Sequence, residues 1–475
     1  MKIFRFFFII VLCSFCIGLK GQTFDDAKSL YQEGRYAEAL PVFKAEYENA
    51  PNDASLNEWL GISLFKTGDL LSAEKHLAFA AQKKRTDASL YLGELYTKTY
   101  RFEEAEKEFE KYRRAQRRNN EAIALLEEKI EYADKLRRAV RRTEDIPVID
   151  SLIVPKRDFL SAYSLSASSG SIMPMKDFFK DASPDGGQTL YMNERQDKVY
   201  YAAGNDSTGY DLYSMEKLLN SFGNEKKLPV SVNADGNQAY PFVMPDGVTL
   251  YFASTGHESL GGYDLYITRY NTASDSYLNP NQLNVPFNSP FNDYMMVIDE
   301  EKEIGWFATD RFQSPDSVCI YTFVPLKEVK LVESDDEAYV SRRAKITSIA
   351  DTWKEGVDYA SLRAKAKEQN TAEQGQGQKS DFSFVINDAV TYHRLEDFKN
   401  ASARALLSKA IQLKQEQKRL QDELSARRDQ FANGNESGTV RSSILALEKE
   451  TESIRREIAQ LEVQARNEEI RTTYQ

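Results

Sequence analysis

Apolar and small residues recur at a fixed period from Thr23 to about Tyr112. Ala27, Gly61 and Gly93 form one set and Ala39, Ala73 and Ala105 another, each spaced 34 and then 32 residues. Large apolar residues follow at Phe43, Leu77 and Phe109, and the intervening turns read EGRY, TGDL and TYRF. A small residue lets two helices approach and a large one fills the groove beside it, so the pattern predicts stacked helical hairpins. The third turn lacks a glycine, carrying Tyr100 instead. A further helix is predicted over 120–142, ended by Ile146-Pro147. The pattern then changes. VIDSLIV (148–154) and DFLSAYSLS (158–166) read as strands.

Three related units follow across roughly 182–325. The clearest is YPFVMPDGVTLYFASTGHESLGGYDLY, from Tyr240 to Tyr266. Pro245, Asp246 and Gly247 make a turn in which Pro presets φ, Asp bonds the local backbone and Gly takes the tight exit. Thr249 to Ser254 is β-branched and aromatic, as a strand should be. DKVYYAAGNDSTGYDLY (197–213) repeats the unit upstream, and IGWFATDRFQSPDSVCIY (304–321) repeats it downstream. The matching residues are Tyr213, Tyr266 and Tyr321, spaced 53 and 55. Helices are expected over 335–353 and 358–369, a low-complexity linker at TAEQGQGQKS (371–380), and two strands in FSFVI and VTYHR (382–394). From Asp397 onward the pattern is heptad. Leu406, Leu413 and Leu420 repeat at seven beside Ala410, Gln417 and Leu424. After a break at NGNESG (433–438), Leu447, Ile454 and Leu461 repeat beside Ile444, Thr451 and Ile458. Two such helices predict an antiparallel coiled-coil hairpin.

These residues carry a resemblance. The helical repeats look like three tetratricopeptide repeats. MPDGVTLYFAS followed by GGYDLY resembles the PD40 repeat, a WD40-like blade of TolB-type propellers. The combination, covering about residues 23–325, is similar to cell-envelope proteins that join the two. One group of these belongs to the type IX secretion apparatus and ends in an OmpA-like peptidoglycan-binding domain. Here a coiled coil stands in that place, so peptidoglycan anchoring is not carried over. The fold class expected is multidomain, α and β: an N-terminal α-solenoid (22–144), a central β-propeller (145–395) with an excursion at 327–381, and a C-terminal hairpin (396–475). Three repeats alone leave an arc with exposed edges. The strands at 148–154 and 382–394 are therefore expected to close the propeller.

Residues 1–21 read as a signal peptide, with Lys2 and Arg5 before the apolar run Phe6 to Ile17. Phe15 before Cys16 is a poor lipobox, so the reading is an exported, unlipidated chain, periplasmic or peripheral to the outer membrane. Removing Lys2, Arg5 and Lys20 takes the formal net charge from −11 to −14. That argues against nucleic acid as a partner. Cys319 is the one cysteine left after the leader, within the apolar VCIY, and reads as a buried small hydrophobe.

Little in the chain points to catalysis. GHESLG (256–261) misses the nucleophile-elbow spacing by one residue, and a strand, not a helix, follows it. His76, His257 and His393 have no metal-ligand spacing. The repeated Asp211 and Asp264 read as bonding their own turns. The cationic stripes of Arg113/Arg117 and Arg137/Arg141 read as solvated helix faces, balanced by Glu127, Glu128 and Glu131. No catalytic residue, metal or cofactor is expected, nor a membrane span in the mature chain. The function expected is a non-enzymatic scaffold for envelope proteins, which bind at the solenoid, the propeller face or the coiled coil. The alternative is glycan or peptidoglycan recognition on stacked tyrosines. A two-helix seam is narrow, so a second copy or a different partner is expected to cover the hairpin.

Overall fold

A computed structural model describes residues 23–179, 188–205, 207–219, 221–354, 356–367, 384–387, 390–392, 394–432 and 438–473. The predicted leader (1–21), the linker (371–380), residues 433–437 of NGNESG and His393 lie outside the described residues.

Seven helices open the described chain: α1 (Phe24–Gln32), α2 (Tyr36–Asn49), α3 (Ala54–Lys66), α4 (Leu70–Gln82), α5 (Thr86–Lys98), α6 (Phe102–Gln116) and α7 (Asn120–Val140). Polar side chains start several of them by accepting otherwise unpaired backbone N–H groups. Thr23 and Asp26 form a capping box on α1, Asp53 caps α3 and Asp69 caps α4. The small–large pattern is realised as close helix contacts. A Cβ added at Gly61 would lie 2.9 Å from Leu77, and one at Gly93 would lie 2.4 Å from the Phe109 ring. Ala27 and Phe43 are the matching, fully buried pair of the first hairpin. The glycine-less third turn also has a structural reason. Tyr100 takes φ +57°, where Gly34 and Gly68 take +78° and +89° in the earlier turns. Its ring is committed to a core shared with the sheets, made by Phe102, Leu136, Val140, Leu260 and Val285. Packing outweighs the strain of roughly 1 kcal/mol that a non-glycine residue suffers there.

Three antiparallel sheets follow. The first runs in order β2 (Ser171–Pro174), β3 (Thr189–Met192), β4 (Lys198–Asn205), β5 (Gly209–Lys217) and β6 (Phe222–Lys227), with the single helical turn α8 (Met175–Phe178) after β2. The second holds β7 (Gln238–Val243), β8 (Thr249–Ser254) and β9 (Asp264–Asn271), with the short β10 (Ser276–Tyr277) and β11 (Asn281–Gln282) both on β9. The third holds β12 (Asp293–Asp299), β13 (Ile304–Thr309) and β14 (Ser317–Phe323). Its outermost strand is β1 (Val148–Pro155), antiparallel to β14 from Val148↔Phe323 to Pro155↔Ser317. β7 packs on the first sheet and β12 on the second, and one apolar core runs through all three.

The repeat in the sequence is a repeat in space. Tyr213, Tyr266 and Tyr321 each sit opposite an aromatic residue of the neighbouring strand, Tyr201, Phe252 and Phe307. Their ring centroids are 6.1, 5.8 and 5.4 Å apart. The PDG turn behaves as read: Asp246 accepts from the Val248 and Thr249 N–H groups, and Gly247 has φ +69°.

A second repeated device escaped the sequence reading. Asn233 accepts from Leu212 N–H at 2.7 Å and donates to the carbonyls of Leu212 and Leu228. Asn288 does the same to Leu265, at 2.7 Å, and to the carbonyls of Leu265 and Leu283. Four residues on, Asn237 and Asn292 accept from Tyr210 and Tyr263 N–H, each at 3.0 Å. Each pair pins a strand of one sheet to the loop that enters the next. The sequence carries the signal as Asn-x3-Asn in both loops, Asn233/Asn237 and Asn288/Asn292.

Two expectations are corrected. DFLSAYSLS is not a strand: Lys156–Ala162 is a 3-10 helix, and Phe159 and Tyr163 plug the space beside Tyr294 and Met295. The late strands β15 (Phe384–Asn387) and β16 (Val390–Tyr392) pair, among the described residues, only with each other. They do not join the three sheets. Phe384 and Ile386 instead pack with Leu407, Ile458 and Leu461 of the C-terminal helices α11 (Ala401–Ala432) and α12 (Gly438–Thr473). The apolar surface was right, but the helices supply it.

The antiparallel helix pair also receives cover from this chain. Ala410, Leu420, Leu424, Ile444, Leu447, Ile458 and Leu461 are buried along its seam as predicted, with Leu407 in place of the half-buried Leu406. Both ends, however, are covered by this chain. At one end the β15–β16 ribbon sits on the seam, and Glu469 of α12 accepts from the Lys399 and Asn400 N–H groups at the start of α11. At the other end lies an ionic cluster with α10 (Tyr359–Lys367) and β1. Arg363 donates to the Ser425 carbonyl and pairs with Asp429, while Arg428 reaches Asp150 at 3.2 Å and Glu448 at 2.8 Å. Beside it α9 (Glu337–Lys345) leads to Thr352 and Trp353, which bond the backbone of Val148. Among the described residues no helix is long and apolar enough to cross a membrane.

The helix crossings yield a test. Gly93→Ala gains about 1 kcal/mol of helix propensity but drives a methyl group into the Phe109 ring, at a cost of roughly 1–3 kcal/mol. The expected result is a lowered melting temperature followed by circular dichroism. Adding Phe109→Leu should recover part of the loss, because it vacates the same space.

Candidate functional site

The glycine-rich loop after β8 is held rigid by bonds to its own surroundings. The Tyr266 hydroxyl donates to the carbonyls of Gly256, at 3.2 Å, and His257, at 2.9 Å. The His257 ring engages the Val232 carbonyl at 3.0 Å and lies beside Phe252 and Tyr266. Ser259 bonds the Thr255 carbonyl. The loop thus brings no base to its serine. His76 is far off in α4, bonded to Asn57 at 2.9 Å and edge-on to Tyr47. Burial pushes its pKa down to about 4, so it stays neutral.

Asp264 bonds its own turn as read, accepting from Leu260 N–H. Asp211 does not: it pairs with Lys227 across β5 and β6 at 2.6 Å. Cys319 is buried, and its thiol is pushed up to about 12 by that burial. Arg113 pairs with Glu127 at 2.8 Å, Arg141 with Glu337 at 2.9 Å and Arg137 with Glu106, so the cationic stripes are partly neutralised within the chain. Among the described residues no cluster of His, Cys, Asp and Glu could hold a metal ion.

What the fold does assemble is a cleft of about 890 Å³ between the helices and the sheet loops. One wall comes from the ends of α3 and α5 and the middle of α7. The other comes from Leu260–Gly262, Pro290–Asn292 and the loop after β13. The two walls are tied together at the bottom. Tyr132 donates to the Leu260 carbonyl at 2.6 Å, and Lys135 donates to the carbonyls of Glu258 and Ser259. Within the loop wall itself Gly261 and Gly262 are required, since a Cβ on either would fall within 2.4 Å of Phe291 or Asn292.

The cleft's charges are mostly matched: Lys129 with Glu94 at 3.3 Å, and Lys156 with Asp310 at 2.9 Å. Lys98 differs. Among the described residues its ammonium reaches only the Pro290 carbonyl, at 3.5 Å, and the face of Phe291, and burial lowers its pKa. No periodicity could have singled out this residue, because the loop that makes it special lies 192 residues away.

Behind Leu260 lies a second set of buried charges. Asp293 and Arg311 pair at 2.6 Å, and Arg311 also donates to the Pro286 and Phe287 carbonyls. Asp264 accepts from Leu260 N–H at 2.8 Å and Gln282 at 2.6 Å. Its burial, with Asp293 nearby, pushes its pKa up to about 7. The volume of the cleft suits a ligand, its mixed lining suits recognition, and nothing in it supplies a nucleophile with a base.

No family model matches the chain, and no curated protein matches it.

The raised Asp264 carboxyl sets a pH dependence. In the unfolded chain Asp264 loses its proton near its ordinary 3.8, but in the fold it keeps it to about 7. The folded state therefore binds more protons in that window, and stability falls as pH rises through it. Asp264→Asn should flatten this fall and be more stable than the parent above pH 7, by a few kcal/mol at most. Denaturant midpoints measured at pH 5 and pH 8 check both signs.

Proposed function

We propose that the protein is a non-enzymatic scaffold of the cell envelope, built as a tetratricopeptide-repeat solenoid, a PD40-type propeller and a helical hairpin. The helical hairpins with their small–large crossings support the first assignment. The thrice-repeated strand–loop–strand unit with its stacked tyrosine supports the second. In this reading β1 completes the last blade, and the three sheets between 148 and 323 are the blades. The chain is exported by its leader and works in the periplasm or at the inner face of the outer membrane. A role beside a secretion apparatus is one instance of such scaffolding.

The observation that carries the reading is the weld between helices and sheets. A shared core at Tyr100, Leu260 and Val285 fixes two repeat surfaces in one frame around an open cleft. Such a frame positions other proteins. The glycan alternative draws less support, because Tyr191, Tyr201 and Tyr266 are buried and unavailable as platforms for sugars.

Capture on the purified mature chain from envelope extract, run beside a glycan array, tests the proposal. The expected outcome is a reproducible set of envelope proteins and no glycan above background. A glycan signal without protein capture would replace this reading with the alternative.

A further inference from the structure

Lys98 ends α5 at the floor of the cleft, and its surroundings pose a chemical problem. Its side chain is half-buried, and an ammonium partly withdrawn from water is costly unless it is paired and hydrogen-bonded. Its three donors meet one carbonyl, at 3.5 Å, and the Phe291 ring centroid at 5.6 Å. The nearby carboxylates are engaged elsewhere. Glu94 holds Lys129, and Asp310 holds Lys156 while also accepting from the Asn292 side chain at 2.9 Å. Glu128 is exposed at the rim. Lys66, on the same wall, lies over the Tyr91 ring, 4.9 Å from its centroid, and makes no ion pair among the described residues. The cleft's lining is mixed, and its apolar part comes from Phe65, Leu70, Phe291 and Pro315.

Resting on the scaffold reading, we propose that this cleft docks an acidic, extended segment of a partner protein, with Lys98 binding one of its carboxylates. The geometry fits a chain rather than a small acid. The cleft opens to solvent between its helical and loop walls, so a segment can enter and leave along it. Its apolar residues flank the ammonium and would take the side chains on either side of the acidic residue. A carboxylate bound there supplies the missing acceptors, and the partial burial of Lys98 strengthens the pair. Docking should raise the Lys98 pKa, because the ammonium gains the counter-charge that it lacks in the free protein.

The test uses the full mature chain and a labelled, capped hexapeptide of alternating Glu and Leu, beside its Gln-for-Glu counterpart. Fluorescence anisotropy reads the affinity of each at low and high salt. The expected result is that the Glu peptide binds about tenfold or more tighter than the Gln peptide, with the difference shrinking at high salt. Lys98→Met should abolish the difference, Lys98→Arg should keep part of it, and Lys449→Met, on the exposed face of α12, should leave it unchanged. If Lys98→Met fails to fold, NMR of the 13C-dimethylated protein decides instead. The Lys98 resonance, identified by its loss in Lys98→Arg, should titrate at higher pH with the Glu peptide bound. Equal binding of the two peptides overturns the proposal. So does a Glu preference that survives Lys98→Met, an unmoved Lys98 titration, or displacement by sodium glutamate at the peptide's own affinity. Failure here with envelope capture intact removes this site and leaves the scaffold standing. Absence of capture by the wild-type chain removes the scaffold itself.

Discussion

The packing of Tyr100 between the last helical turns and the loops of the second sheet is the contact on which the rest depends. It is made against the local backbone preference, at a position where the two earlier turns use glycine. Around it Phe102, Leu136 and Val140 meet Leu260 and Val285. Hydrogen bonds from Tyr132 and Lys135 lock the loop that carries Leu260, and that loop in turn caps Asp264. Without this apolar weld the two halves would be independent modules on a tether, and the cleft between them would have no fixed width. A row of packed helices and a set of sheets are both repetitive objects with little to define a single location. The contact between them creates one.

The same logic explains how much was legible beforehand. Features that arise within one period could be read. Gly61 and Gly93 against Leu77 and Phe109, and the aromatic pairs of Tyr213, Tyr266 and Tyr321, repeat because each copy solves the same packing problem. The Asn-x3-Asn clamps were equally periodic and were missed because asparagine in a loop has an ordinary explanation as a turn former. Features that depend on a distant partner could not be read. FSFVI and VTYHR have the composition of strands wherever they pair, and nothing local says whether their apolar face meets a sheet or a helix pair. DFLSAYSLS alternates as a strand does, but the space beside Tyr294 calls for a compact plug, and a 3-10 turn provides it. Lys98 is an unremarkable helix-end lysine until Pro290 and Phe291 are placed beside it.

The C-terminal helices show the same dependence at larger scale. Their seam is narrow, but it is not left alone. A ribbon of two short strands covers one end, and an arginine–carboxylate cluster with α10 and β1 closes the other. Arg363 and Arg428 are nearly inaccessible, with 1% and 5% of their surface exposed. Breaking one partner of such a cluster leaves a buried charge uncompensated, a larger loss than the pair's net contribution. The hairpin is thereby held against the outer strand of the third sheet.

That outer strand has a consequence for how the molecule comes into being. β1 precedes all three sheets in the chain, yet it pairs with β14, with Val148 opposite Phe323. During synthesis the strand emerges early and has no neighbour until the last of the three sheets has been made. Contacts so distant along the chain slow folding, because a long loop must close before any pairing rewards it. Once formed, the pairing makes everything between its two strands a closed circuit. Loosening any one sheet then strains the others, and the region should melt as a single cooperative unit rather than sheet by sheet.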